Sequence, residues 1–296
     1  MGVNDISFPG LGIHLHNVPK SFQVFGFEIA LYGVVIGIGL LAAFALVLRI
    51  ARKEGLDPEM FWDYIIYVVI FGIIGARAYY VIFNWDYYSG SFMRIIDIRG
   101  GGMAIYGSVI AGVVTTLIYC KLKKKNPFAV MDVAVFGLIL GQIIGRYANF
   151  FNRECFGDYS GGLLRMYLPV SAVRADEITD ALASHTVMVG DTQCISVHPT
   201  FLYESLLNLV VLILMLIYRK HKRFKGELFL CYLGGYGIVR FFVEGLRTDQ
   251  LKWFGTDVAV SQVLGILLFA GSVIADIVVR IILSRRKTGD TVVQEK

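Results

Sequence analysis

Three stretches carry residues able to act together on an anion. The first is Gly141-Gln-Ile-Ile-Gly-Arg-Tyr-Ala-Asn-Phe-Phe-Asn-Arg-Glu-Cys-Phe-Gly157. Arg146 and Asn149 are three apart, so a helix places them on one face. Asn152 and Glu154 follow where that helix should end. A planar cation beside carboxamides and a carboxylate suits a phosphate or a glycerol headgroup. The alternative is an Arg146–Glu154 ion pair tying the helix end to the next segment. The second stretch is Tyr236-Gly-Ile-Val-Arg-Phe-Phe-Val-Glu-Gly-Leu-Arg247, with Arg240, Glu244 and Arg247 on one arc about 60° wide. Two cations and one anion leave a positive charge that a bound anion would balance. A plain Arg240–Glu244 bridge with Arg247 reaching for water is the alternative. The third stretch is His198-Pro-Thr-Phe-Leu-Tyr-Glu204. Pro199 suits a first helical position, Glu204 and Asn208 share a face, and His198 reads as a hydrogen-bonding residue at the helix start. Tyr32, Arg77 and Tyr106 complete the polar set, the last among Gly100, Gly101, Gly102 and Gly107.

The elements that must hold these residues are mostly oil. Of 296 residues, 56% are apolar and only 17% are charged, against roughly 25% in a soluble domain. That excludes a soluble enzyme, a disordered chain and a nucleic-acid binder, despite a net charge of +5. A spanning helix needs about 20 apolar residues. Seven runs qualify: 25–48, 62–84, 101–120, 127–151, 199–218, 227–246 and 257–283. Seventeen of the 28 cations cluster at alternate span ends: Arg49 to Lys53, Lys121 to Lys125, Arg219 to Lys225, and Arg280 to Lys296. The positive-inside rule makes those ends cytoplasmic, with the N-terminus outside and the C-terminus inside. The chain therefore divides into an extracytoplasmic arm at 1–24, helices one to four at 25–151, and a small extracytoplasmic head of strands and turns at 152–198. Helices five to seven follow at 199–283, then a cytoplasmic tail at 284–296. Residues 1–24 hold a single cation, Lys20, unlike the basic start of a cleavable signal.

Ionisable residues inside spans are expensive and point to function. In this topology Tyr32, Arg77, Tyr106, Arg146, Asn149, His198, Tyr203, Glu204, Arg240 and Glu244 fall toward the outer ends, and Asp132 falls toward an inner end. One-sided clustering of both signs points to a polar cavity open to the outer leaflet. A transporter would spread such residues along a path or at the midplane. A retinal photoreceptor needs a lysine in the last span, and 257–279 has none. Gly141 and Gly145 permit close helix packing. Cys155 and Cys194 fall in the outer region, where a disulfide is chemically permitted and unpaired thiols are the simpler state. No cluster of metal ligands stands out.

Together these residues resemble the prolipoprotein diacylglyceryl transferase family. The diagnostic run is Gly145-Arg-x-x-Asn-Phe-x-Asn-x-Glu-x-x-Gly157. Supporting matches are Gly75-Ala-Arg-Ala-Tyr-Tyr, Gly101-Gly-Met-Ala-Ile-x-Gly107, His198-Pro-x-x-Leu-Tyr-Glu204, and Tyr236-Gly-x-x-Arg-x-x-x-Glu244 with Arg247. The resemblance implies an all-α polytopic membrane protein of seven transmembrane helices with a small extracytoplasmic head, in the bacterial cell membrane. It implies transfer of the diacylglyceryl group of phosphatidylglycerol to the lipobox cysteine of a preprolipoprotein, the first step of lipoprotein maturation. The products are a thioether and glycerol 1-phosphate. The nucleophile belongs to the substrate, and neither cofactor nor metal is implied. By the family pattern Arg146, Arg240, Tyr106, Asn149, Glu154 and Glu244 are catalytic. Tyr32, Arg77, Asn152, Gly157, His198 and Arg247 join Arg146 in binding substrate, with Arg146 and Arg240 as phosphate ligands.

One position departs from the pattern: Tyr106 stands where family members often carry histidine. A tyrosine of ordinary pKa, about 10, is a poor base at neutral pH. Either Tyr106 orients substrate by hydrogen bonding, or the proton goes elsewhere, with His198, Glu154 and Glu244 as the available acceptors.

Overall fold

The computed structural model describes residues 1–294 except Arg99, Phe254, Gly255 and Asp257, and describes no side chain from Arg286 to Gln294. Of the cations counted above, Arg99 and Lys296 lie outside the described residues, as does Asp257, where the last expected span begins. The chain forms two compact units, one of 1–43 with 137–296 and one of 44–136.

The long helices are α1 Leu31–Lys53, α2 Met60–Phe83, α5 Ile105–Leu122, α6 Pro127–Asn152, α8 Thr200–Tyr218, α9 Glu227–Glu244 and α10 Val260–Gln294. Short helices α3 Trp85–Tyr88, α4 Phe92–Ile96 and α7 Asp180–Ser184 lie between them. Each expected span therefore coincides with one long helix. Among the described residues, α1, α2, α5, α6, α8 and α10 are long and apolar enough to cross a membrane. Helix α9 carries Glu227, Arg240 and Glu244 within 18 residues, so composition alone does not mark it as spanning. Large side chains such as Leu41, Ile74, Ile82, Leu214 and Leu267 face outward, as a bilayer requires and water disfavours.

The segment 152–198, read as strands and turns, holds β5 Met166–Pro169, β6 Val187–Val189 and β7 Thr192–Val197, while the all-helical expectation is corrected in the arm and at the start of the first expected span by β1 Ile6–Phe8, β2 Ile13–Leu15, β3 Ser21–Val24 and β4 Phe27–Ala30. β3 and β4 pair as a hairpin, and the other five form a sheet in the order β2-β1-β5-β7-β6. The sheet joins arm and head, because Ser7 of β1 faces Tyr167 of β5. Ile6, Phe8, Phe156, Leu168, Ile195 and Val197 form its core, drawn from the arm, the head and the segment after α6. Arg153 ties these parts together: its Nη2 donates to the Val18 carbonyl at 2.6 Å and to that of Asn4 at 2.9 Å.

Glycines set the closest helix contacts. In the unit 44–136, a Cβ on Gly75 would lie 2.7 Å from the Gly107 carbonyl oxygen, so α2 and α5 meet backbone to backbone. In the other unit Gly237 of α9 and Gly265 of α10 meet likewise, a Cβ at Gly237 falling 2.5 Å from the Gly265 oxygen. At Gly141 and Gly145, read above as a packing pair, an added Cβ would meet only ordinary van der Waals neighbours, Ala43 at 3.9 Å and Ile36 at 3.5 Å.

Candidate active site

In the unit 1–43 with 137–296, the C-terminal end of α6, the N-terminal end of α8 and the C-terminal end of α9 meet. Each helix presents charge there because Arg146, Glu204 and Arg240 lie on faces turned toward one another. Arg146 Nη2 contacts Glu204 Oε1 at 2.6 Å, and Arg240 Nη1 contacts Glu204 Oε2 at 3.4 Å. Arg240 Nη2 contacts Glu244 Oε2 at 2.7 Å. Glu204 is 1% exposed and Glu244 2%, so both carboxylates need partners to remain charged. Ser205 Oγ donates to the Ile143 carbonyl at 3.0 Å and holds α8 against α6. One turn along α6 from Arg146, Gln142 donates to the Tyr232 hydroxyl at 2.9 Å. The Tyr232 ring in turn stacks on Tyr236.

The network continues in both directions. Arg146 Nη1 reaches Asn149 Oδ1 at 3.5 Å, and Asn149 Nδ2 donates to Glu154 Oε1 at 2.9 Å. Glu154 Oε2 meets Arg174 at 3.4 Å. The alternative Arg146–Glu154 ion pair is therefore corrected: Arg146 pairs with Glu204, and Asn149 stands between it and Glu154. On the other side Arg247 lies past the end of α9 and grips Asp249 with two bonds, Nε to Oδ1 at 2.8 Å and Nη2 to Oδ2 at 2.6 Å. Its Nη1 is 3.9 Å from Glu244. The lone positive charge expected on the α9 arc is corrected too, because Glu204 and Asp249 supply the missing anions. Burial pulls the Asp249 carboxyl upward, but the hydrogen bonds and charge of Arg247 outweigh it and hold it below its ordinary 3.8.

Gly157 gains a physical role. Its N–H donates to the His198 carbonyl at 2.9 Å, and the Asp158 N–H donates to the Leu246 carbonyl at 2.8 Å. A Cβ at Gly157 would fall 2.7 Å from both the Leu246 oxygen and the His198 Cβ. Only glycine lets the segment after α6 lie between the start of α8 and the loop after α9. The His198 ring is half-buried with Nδ1 3.2 Å from the Tyr203 hydroxyl, the hydrogen-bonding role expected of it. Burial lowers its imidazole below the usual 6.5, so the ring is neutral at neutral pH. Pro199 precedes the first residue of α8 instead of occupying it. A cavity of about 400 Å³ opens beside this end, lined by Asp158, Thr179, His198, Arg247 and Lys252 among others. Tyr32 stands at the start of α1, partly exposed. Among the described residues neither Tyr32 nor Asn152 makes a side-chain hydrogen bond.

Arg77 and Tyr106 belong to the unit 44–136. Arg77, expected among the substrate ligands, is buried and clamps a loop: Nε donates to the Ile95 carbonyl and Nη1 to those of Gly101 and Gly102, each at 2.8 Å, while Nη2 donates to Arg94. Tyr106 is half-buried at the start of α5, its ring centroid 6.4 Å from that of Tyr79.

The helix-face arguments located Arg146, Asn149, Arg240 and Glu244. They noted Glu204 without giving it a role, and missed Asp249 and Arg174. Asp249 two residues after Arg247 was a visible signal; Arg174 gave none, since folding alone brings it to Glu154. All four cysteines are free, so the outer pair forms no disulfide. Burial pushes the Cys155 thiol up to about 11, which keeps it protonated and unreactive at neutral pH. Among the described residues no group of His, Cys, Asp and Glu is arranged to hold a metal.

The prolipoprotein diacylglyceryl transferase family model matches residues 19–278. The chain belongs to this family. It is 38% identical to a protein from Finegoldia magna over 87% of this chain and 94% of that one. It is 37% identical to one from Lactobacillus johnsonii, over 86% and 88%. A Listeria monocytogenes protein is 38% identical over 86% and 87%. All three are named phosphatidylglycerol-prolipoprotein diacylglyceryl transferase. The match spans the whole ladder of charges from Glu154 to Asp249.

Proposed function

We propose that this protein transfers the diacylglyceryl group of phosphatidylglycerol to the lipobox cysteine of a preprolipoprotein, with the donor phosphate held by Arg146 and Arg240. The observation that carries the reading is the Glu204 carboxylate between them, one oxygen on each guanidinium. Two guanidiniums that share one oxyanion group are spaced to share another, and a phosphate offers them the same fork of oxygens. In the reaction the substrate thiol gives up its proton, and sulfur bonds to the glyceryl carbon. The carbon–oxygen bond to phosphate breaks, and glycerol 1-phosphate leaves, taking up one proton overall. The two arginines stabilise the charge that develops on the departing oxygen. Asn149 and Glu154 hold Arg146 from one side, and Glu244 holds Arg240 from the other.

The enzyme's groups must also accept the thiol proton. The carboxylate oxygens of Glu244 and Glu154 are already engaged, the first by Arg240 and the second by Asn149 and Arg174. His198 is neutral at neutral pH, with an unprotonated ring nitrogen able to take a proton, and serves as the acceptor, with Tyr32, Tyr106, Asn152, Gly157 and Arg247 positioning substrate.

The topology proposed with this function has seven spans including α9, the N-terminus and the sheet on the extracytoplasmic side, and the C-terminus in the cytoplasm. The carboxylates of α9 at Glu244 and the arginines it meets then lie toward the outer leaflet, where both lipid and lipoprotein present their reacting groups. The partners are phosphatidylglycerol, a signal peptide bearing a lipobox cysteine, and the bilayer; nucleic acid has no place in it. Incubation of the purified protein with phosphatidylglycerol and a lipobox peptide should add one diacylglyceryl unit to the peptide cysteine, read by mass. Folded protein that leaves the peptide unmodified would refute the reading.

A further inference from the structure

A second cavity, of about 320 Å³, lies beside the active-site ladder and is lined by Lys20, Asn152, Arg153, Glu154 and Arg174 with the backbone around Ala172. Its three cations face one carboxylate, an excess of positive charge that the arginine–glutamate ladder lacks. Glu177 meets Arg174 at 3.5 Å and offsets part of it. Lys20 has one acceptor, the Ala172 carbonyl at 3.1 Å. Arg153 is 2% exposed, yet its Nε–H has no acceptor. A buried guanidinium N–H left without a partner signals a site for an oxyanion or water. Burial, then repulsion from Arg153 and Arg174, lowers the Lys20 ammonium from its ordinary value, the strain expected where cations converge without enough anions. Glu154 belongs to both places: one oxygen takes Asn149 and the other takes Arg174.

We propose that this cavity is a second anion site, which receives the phosphate monoester released from Arg146 and Arg240. The proposal rests on the transfer reaction above and extends it to product release. Breaking the carbon–oxygen bond turns a phosphodiester of charge −1 into a monoester of about −1.5 to −2 at neutral pH. The inner arginines are matched by carboxylates and tolerate the diester. The added charge favours movement toward Lys20, Arg153 and Arg174. The volume equals about ten water molecules at ~30 Å³ each, enough for glycerol phosphate, a molecule of roughly ten heavy atoms.

The test uses the full chain in detergent and sn-glycerol 1-phosphate itself. Calorimetry measures its binding without turnover, and initial rates measure its inhibition of transfer. Lys20→Gln and Arg174→Gln should each weaken binding and inhibition at least fivefold, and Lys20→Arg should restore both. The KM for phosphatidylglycerol should stay within twofold in Lys20→Gln. A KM that rises in step with the inhibition constant would assign the cavity to the lipid headgroup and overturn product capture. Binding unchanged by both substitutions would also overturn it. Transfer absent from wild-type protein whose binding still depends on Lys20 would refute the reaction and support the site.

Discussion

Glu204 touches both arginines with a carboxylate that is almost wholly buried. Its removal leaves two guanidiniums facing each other, and breaking such a pair costs about 3–5 kcal/mol. Glu204→Gln should lower the melting temperature in detergent and cut turnover at least ~10-fold, about 1.4 kcal/mol in the barrier. Wild-type turnover would remove Glu204 from the site. Arg146→Ala and Arg240→Ala each delete a donor to the leaving phosphate, and each should lose about 10²-fold in kcat or more. If both keep wild-type rates, the phosphate assignment fails. Tyr106→Phe should retain more than a tenth of the activity, roughly, if the residue orients substrate; complete loss with the fold intact would make the hydroxyl essential. At this scale the sequence showed what helical periodicity carries. Arg146 with Asn149, and Arg240 with Glu244, share faces by spacing, and so does Glu204 with Asn208. Asp249 and Arg174 sit in loops, where no period relates one residue to its partner. Arg77 shows a related limit of sequence reading: a buried arginine beside a glycine loop has backbone carbonyls as partners, and spacing does not reveal them.

Elements hold these residues through a few close contacts. Gly75 and Gly107 let α2 and α5 touch backbone to backbone, so Gly75→Leu should force the helices apart and destabilise by about 1–3 kcal/mol or more. Thermal unfolding in detergent measures this, and an unchanged midpoint would show that the helices are free to slide. The loop after α9 is fixed by Arg247 and Asp249. The folded Asp249 carboxyl lies below 3.8, so its stabilising effect is complete above that pH and is lost as pH falls through the folded value. Wild-type protein should therefore lose stability below about pH 4 more steeply than Asp249→Asn; parallel curves would contradict the linkage. Long helices were legible because an apolar run of twenty residues has few other fates. The strands of the arm were not, because each is only three or four residues long and β1 is buried on both faces, which erases alternation.

For the molecule as a whole, composition set the class and charge placement set the proposed orientation. Reporter fusions check the second: an enzyme active only outside the cytoplasm should work when inserted near residue 185, and a cytoplasmic reporter should work at the C-terminus. The opposite pattern would invert the topology. The pairing of arm with head was beyond the sequence, since nothing in Ile6–Phe8 names a partner about 160 residues away.

That pairing also bears on biogenesis. Strand β1 is made well before its neighbour β5, which begins at Met166. At about 5–20 residues per second, the arm waits on the order of ten to thirty seconds for its partner strand. During that time Ile6 and Phe8, fully or nearly buried in the finished sheet, have no protein core to enter. The nascent arm must be sheltered, by the membrane surface or by a chaperone, while four helices insert behind it.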